Sequence, residues 1–162
     1  MSLNCFILVY YLILRYISTL LNLNIIEMTK KEVTQLSYEI LGCAIKVHNA
    51  LGPGLLESVY EKCLKYELIK QGYEVEQQLP VAIVYDELVI DSDLRLDLLV
   101  NKTVAVELKT VENILPVHEA QTITYMNLLK VPQSLLINFY TTNISKSSKP
   151  FVNEIFRALP DE

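Results

Sequence analysis

Histidine, cysteine and net positive charge are all scarce in this 162-residue chain. The two histidines, His48 and His118, lie far apart, and neither belongs to a zinc-binding motif. Cys5, Cys43 and Cys63 show no metal-ligand pair spacing and no disulfide framework, so they read as reduced core thiols of a cytoplasmic protein. With 19 Asp and Glu against 14 Lys and Arg, the chain cannot coat nucleic acid through bulk positive charge, although a local basic path stays open. Internal repeats and low-complexity tracts are also missing. The length suits one domain with a real core and is short for two.

One long apolar run is present. Residues 2–26, "SLNCFILVYYLILRYISTLLNLNII", are apolar apart from Arg15 and a few Asn and Ser. No positive region precedes the run, no small-residue cleavage site follows it, and Arg15 interrupts it. We therefore expect residues 1–27 to be an upstream extension outside the domain. Membrane attachment follows only if residues 2–26 are a true anchor. Directly after Met28, Thr29-Lys-Lys-Glu32 has the form of a capping box, so a domain over 28–162 is expected.

Val33, Leu36, Ile40, Cys43 and Val47 recur at alternating spacings of three and four, the stripe of an amphipathic helix ending near Asn49. "NALGPG" then forms a turn. A second helix is predicted over 55–71, with Leu56, Val59, Tyr60, Cys63, Leu64 and Leu68 inward. Strands are predicted at 74–79, 81–85, 88–100 and 103–109, and a third helix from Pro116 to Lys130. "SLLINFY" at 134–140 reads as a buried strand. The tail 141–162 is polar and then weakly helical around Val152–Leu159. The order α-α-β-β-β-α-β implies a mixed sheet with helices packed on it.

The strands around "RLDLLVNKTVAVELK" are apolar except for a few charges. Alternation puts Glu107 and Lys109 on one face and Val106 and Leu108 on the other. With Asp97 on the adjoining strand, these groups could build a divalent metal site of hard oxygen ligands. An isolated E-x-K is more simply a buried salt bridge. Register decides between the two. A two-residue Asn101-Lys102 loop would set Asp97 opposite Val106 and turn it away from Glu107. An odd loop centred on Lys102, or a bulge, restores Asp97 opposite Glu107. Glu57 falls in the first turn of the second helix, where the helix dipole favours an acid. His118, Gln121 and Tyr125 form one polar stripe on the third helix, and each alone reads most simply as solvent-facing. His48 reads as a hydrogen-bonded, half-buried side chain.

"GPGLLESVYEKCLKYEL" resembles the GxxExxY proteins through Gly54, Glu57 and Tyr60. "RLDLLVNKTVAVELKTVENILPVHEAQTITYMNLLK" and "LLINF" extend the resemblance in the same order over roughly 34–140. The family is placed in the PD-(D/E)XK nuclease-like superfamily. The resemblance implies a restriction-endonuclease-like α-β-β-β-α-β core, a central mixed sheet flanked by helices. It implies Asp97 as the metal-binding Asp, Glu107-Leu108-Lys109 as the E-x-K element, Gln121 and Tyr125 as a Q-x-x-x-Y pair, and Glu57 as the helical acid. Leu96 stands where the superfamily's name has proline.

The function expected is Mg²⁺- or Mn²⁺-dependent hydrolysis of nucleic-acid phosphodiester bonds, with DNA placed ahead of RNA. Glu57, Asp97, Glu107 and the Leu108 carbonyl are the expected metal ligands. Lys109, Glu107, Asp97, Gln121 and Tyr125 are the expected catalytic set. Lys102, Lys130, Lys146 and Lys149 are candidate phosphate contacts. The alternative is a non-catalytic interaction module that keeps the nuclease-like fold.

Overall fold

A computed structural model describes residues 28–90 and 93–162 of the chain. The apolar leader, and the expectation about it, fall outside the described residues. Helix α1 (Lys30–Leu51) starts at the expected capping box. The Glu32 N–H donates to Thr29 Oγ1 at 3.1 Å, and the Thr29 N–H donates to the Glu32 carboxylate at 2.8 Å. Val33, Leu36, Ile40, Cys43 and Val47 are all buried, as one stripe of an amphipathic helix should be. The helix stops at Gly52, whose N–H reaches the His48 carbonyl at 2.7 Å. His48 is buried, with Nε2 2.8 Å from the Thr141 carbonyl, so it is a hydrogen-bonded core histidine.

Helix α2 (Glu57–Lys70) is aimed by the loop before it. Gly54 sits at φ 102°, a left-handed conformation that a side chain would strain. Tyr60 closes that loop from within the helix. Its hydroxyl donates to the Gly52 carbonyl at 2.5 Å and accepts the Leu55 N–H at 3.1 Å, while its ring stacks on Phe139. Tyr60, Leu64 and Leu68 are buried as expected. Leu56 is not: it is the N-cap, outside the first helical turn, and is 74% exposed.

Strands β1 (Val75–Pro80), β4 (Arg95–Val100), β5 (Val104–Lys109), β6 (Gln133–Asn138) and β7 (Ser148–Val152) form one sheet in the order β1-β4-β5-β6-β7. Helix α3 (Pro116–Leu128) carries the chain from β5 to β6, and a crossover of that kind is what makes this pair parallel. The other pairs are antiparallel. The α-β-β-β-α-β core expected from the sequence is therefore present. One sheet face packs against α1 and α2 through Ile40, Tyr60, Leu64, Leu98, Val106 and Ile137. The other packs against α3 through Leu99, Ala105, Tyr125 and Met126.

Two expectations need correction. The run 88–100 is not one strand: β2 (Ile83–Tyr85) and β3 (Leu88–Ile90) form a separate two-stranded hairpin. Asp86, at φ 56°, turns the chain there, and the polar Asp91-Ser92-Asp93 divides the apolar run in sequence. The tail also contributes a strand. β7 pairs with β6 before the short helix α4 (Glu154–Ala158), so β6 is covered on both sides.

Tyr60→Phe keeps the ring on Phe139 but removes both hydroxyl bonds to the Gly52–Leu55 loop. Urea unfolding should show a loss of about 0.5–1.5 kcal/mol, the usual net worth of a hydrogen bond to partly exposed groups. Unchanged stability would mean that the clamp contributes nothing to the loop.

Candidate active site at the fork between two strands

The β4–β5 connection sets the geometry. Asn101 and Lys102 are both left-handed, at φ 49° and 54°, and the Thr103 N–H donates to the Val100 carbonyl at 2.9 Å. Thr103 is the additional residue that makes the loop odd. Val100 consequently pairs with Val104, Leu99 with Ala105 and Leu98 with Val106. Continued by one step, this register sets Asp97 level with Glu107, as the odd-loop alternative required. Beyond Leu98 and Val106 the strands part. Arg95 and Leu96 pair with Pro80 and Leu79 of β1, while Glu107, Leu108 and Lys109 pair with Leu136, Ile137 and Asn138 of β6. In the fork, Asp97 Oδ2 accepts the Leu108 N–H at 2.8 Å.

The charges are gathered here. Lys109 Nζ donates to Glu107 Oε1 at 2.6 Å, and the other Glu107 oxygen, Oε2, is buried without a hydrogen-bond partner. Burial pushes the Glu107 carboxyl up to about 7, reinforced by the charge on Asp97 and opposed by Lys109. Burial likewise pushes Asp97 up to about 6, against the Leu108 bond and the Lys109 charge. For Lys109, burial pulls downward, but the bond to Glu107 and the surrounding carboxylates outweigh it, so its net shift is upward. It is held as an ammonium ion.

Glu57 enters over the end of β5, from the helical layer on the other face. The Thr110 backbone bonds it, Lys109 attracts it, and burial still raises its carboxyl above the ordinary range. Helix α3 lays its polar stripe toward the sheet and not toward solvent. Tyr125 is buried, Gln121 is half-buried, and Gln121 Nε2 donates to Tyr125 Oη at 3.1 Å. His118 caps the start of α3 by accepting the Leu115 N–H at Nδ1, 3.1 Å away. Of the four lysines considered for phosphate, Lys102 is paired with Glu74 and Lys149 with Glu119.

Sequence reasoning missed Glu61, Gln77 and Gln78. Glu61 is buried one helical turn after Glu57, and its two oxygens accept from Gln77 at 2.7 Å and Gln78 at 2.9 Å. The i, i+4 spacing of two acids beside Tyr60 and Leu64 was the available signal. Among the described residues, no three His, Cys, Asp or Glu side chains are assembled as a ready-made metal centre. The donor chemistry nevertheless suits a hard divalent cation. Glu57, Asp97 and Glu107 supply carboxylate oxygens, one buried oxygen is bare, and a single ammonium offsets them.

Asp97 and Glu107 hold a proton more tightly in the folded chain than at their ordinary values of 3.8 and 4.5. Their contribution to stability is thus complete below about pH 4 and is lost as pH rises through about 6 to 7. Asp97→Asn with Glu107→Gln removes that loss. In urea titrations without divalent ions, the double variant should gain on the wild type between pH 5 and 8, by on the order of 2 kcal/mol. A difference that stays flat with pH would mean that the two acids titrate normally.

A family model for the PD-(D/E)XK nuclease superfamily matches residues 34–151. No curated protein and no solved structure matches the chain. The matched span runs from within α1 to β7 and includes every charged group of the fork, on a mixed sheet consistent with the restriction-endonuclease-like fold. By that match the chain belongs to the PD-(D/E)XK nuclease superfamily.

Proposed function

We propose that the protein is a divalent-metal-dependent nuclease of the GxxExxY type that hydrolyses phosphodiester bonds in nucleic acid, DNA ahead of RNA. The observation that carries this reading is the fork: a buried Glu107 with one bare oxygen, bonded to Lys109, beside an Asp97 fixed by the Leu108 N–H. Nucleases of the superfamily typically use divalent metals. Among the described residues no helix is long and apolar enough to cross a membrane. A cytoplasmic setting belongs to the same proposal.

Glu57, Asp97, Glu107 and the Leu108 carbonyl would hold Mg²⁺ or Mn²⁺, which when bound supplies Lewis acidity toward a phosphate and a water. The chain's own groups divide the remaining work. Asp97 is oriented by its backbone bond, so its carboxylate is held in the fork without side-chain reorganisation. Lys109, kept charged by its acidic neighbours, can donate to an attacking water or to the phosphate oxygens that gain charge in the transition state. It is a poor neutral base for the same reason. Gln121 and Tyr125, bonded to each other, offer an amide and a hydroxyl to position Lys109 or the sugar-phosphate backbone.

Incubation of labelled single- and double-stranded DNA and RNA with Mg²⁺ or Mn²⁺ tests the activity. Lys109→Ala should keep Mn²⁺ binding in calorimetry while cleavage falls by at least about a hundredfold, since its role lies in the transition state. Asp97→Ala should abolish the metal-induced rise in melting temperature, and Asp97→Asn should weaken it. That rise corresponds to about 2.7 kcal/mol when the ion stands at a hundred times its Kd. Metal binding without cleavage of any substrate would make the chain an interaction module that retains the nuclease-like fold.

A further inference from the structure

The strand β1 breaks its own alternation at one residue. Val75 packs against the α1–α2 core and Leu79 against the α3 core, although residues four apart in a regular strand share a face. The neighbouring strand does the same: Leu98 belongs to the first core and Leu96 to the second. Between these residues, Gln77 pairs with Leu98 and Leu79 with Leu96, which leaves Gln78 and Asp97 facing each other across the ladder. Gln78 stands at φ 52°, in the left-handed region that non-glycine residues avoid.

The outcome of that backbone is specific. In a regular strand the adjacent amides of Gln77 and Gln78 would point to opposite faces. Here both reach Glu61, Gln77 donating to Oε1 and Gln78 to Oε2. The Gln78 amide also lies 3.3 Å from Asp97 Oδ1, while Arg95 Nη1 donates to the Gln78 carbonyl at 3.2 Å. Asp97 is thus held from two sides, Oδ2 by the Leu108 N–H and Oδ1 by Gln78.

We infer that Gln78 is a positioning residue, a neutral strut anchored on buried Glu61 that fixes the Asp97 carboxylate in the fork without cancelling its charge. An Arg or Lys at this place would orient Asp97 as well, but would neutralise the group meant to face a cation. An amide donates its hydrogens and leaves the carboxylate negative. The left-handed backbone is the means by which one strand aims two successive amides at the same acid. The consequence for metal affinity rests on the proposed metal-dependent reading. The orientation of Asp97 does not.

Gln78→Gly tests it, because glycine accepts the left-handed backbone and removes only the amide. Two readouts separate the claims. First, without divalent ions, hydrogen exchange at the Leu108 amide should speed at least about tenfold relative to the Val104 amide, since a loosened Asp97 no longer protects it. Glu61→Met, which removes both acceptor oxygens at nearly constant size, should do the same, and it serves if the glycine variant does not fold. Second, calorimetric Mn²⁺ affinity should fall about tenfold or more, the usual effect of losing a group that orients a ligand. Gln78→Asn, shorter but tolerant of the same backbone, should fall between glycine and the wild type. An unchanged Leu108-to-Val104 exchange ratio in both variants overturns the strut. So does an Mn²⁺ affinity equal to wild type in the glycine variant. If the wild type binds no Mn²⁺ but the exchange ratio shifts as expected, the strut stands and the metal reading falls.

Discussion

The hydrogen bond from the Leu108 N–H to Asp97 is the contact on which the candidate site depends. In an unbroken ladder that N–H would meet a carbonyl of β4, and the sheet would close over the place where the charges now sit. A side-chain carboxylate takes the donor in its stead. The backbone requirement for a buried partner is met, yet the two strands are free to diverge toward β1 and β6. The fork follows from that exchange. The clamped loop ahead of Glu57 brings one further carboxylate to it.

Two buried acids close to the fork show what distinguishes a satisfied group from a poised one. Glu61 receives an amide on each oxygen. Glu107 receives one ammonium and leaves its second oxygen bare in a dry place. Desolvation of an oxygen without a partner is expensive. A chain that only needed a salt bridge there could have offered a second donor, as it does for Glu61. The arrangement around Glu107 is therefore a poor solution for stability, and such departures concentrate where chemistry is done.

Much of this was legible in the residues. Alternation alone put Glu107 beside Lys109, and loop parity showed that a two-residue turn could not bring Asp97 to them. The capping box and stripe of α1 were explicit local signals. What stayed hidden was decided by partners distant in sequence. β7 is too polar to look like a strand, but it only has to cover the edge of a wholly buried β6. Tyr125 looked like part of a solvent-facing stripe because a helix pattern does not reveal which face meets the sheet. Gln78 carried no signal, since nothing in its residue type favours a left-handed backbone.

The charge of the chain bears on how a polyanion could reach such a site. The sequence is acidic overall, and Lys102 and Lys149 are occupied by Glu74 and Glu119. Surface attraction of the kind that lets basic proteins gather nucleic acid is therefore weak. On the proposed reading, selection for phosphate must occur inside the fork, where low dielectric strengthens each charge. Lys109 alone cannot supply it, because the carboxylates nearest to it already use its charge. On that reading an acid-rich fork would repel phosphate when bare and accept it with a cation, which would make substrate engagement conditional on the ion. That condition follows from the same buried carboxylates that make the bare site costly to fold.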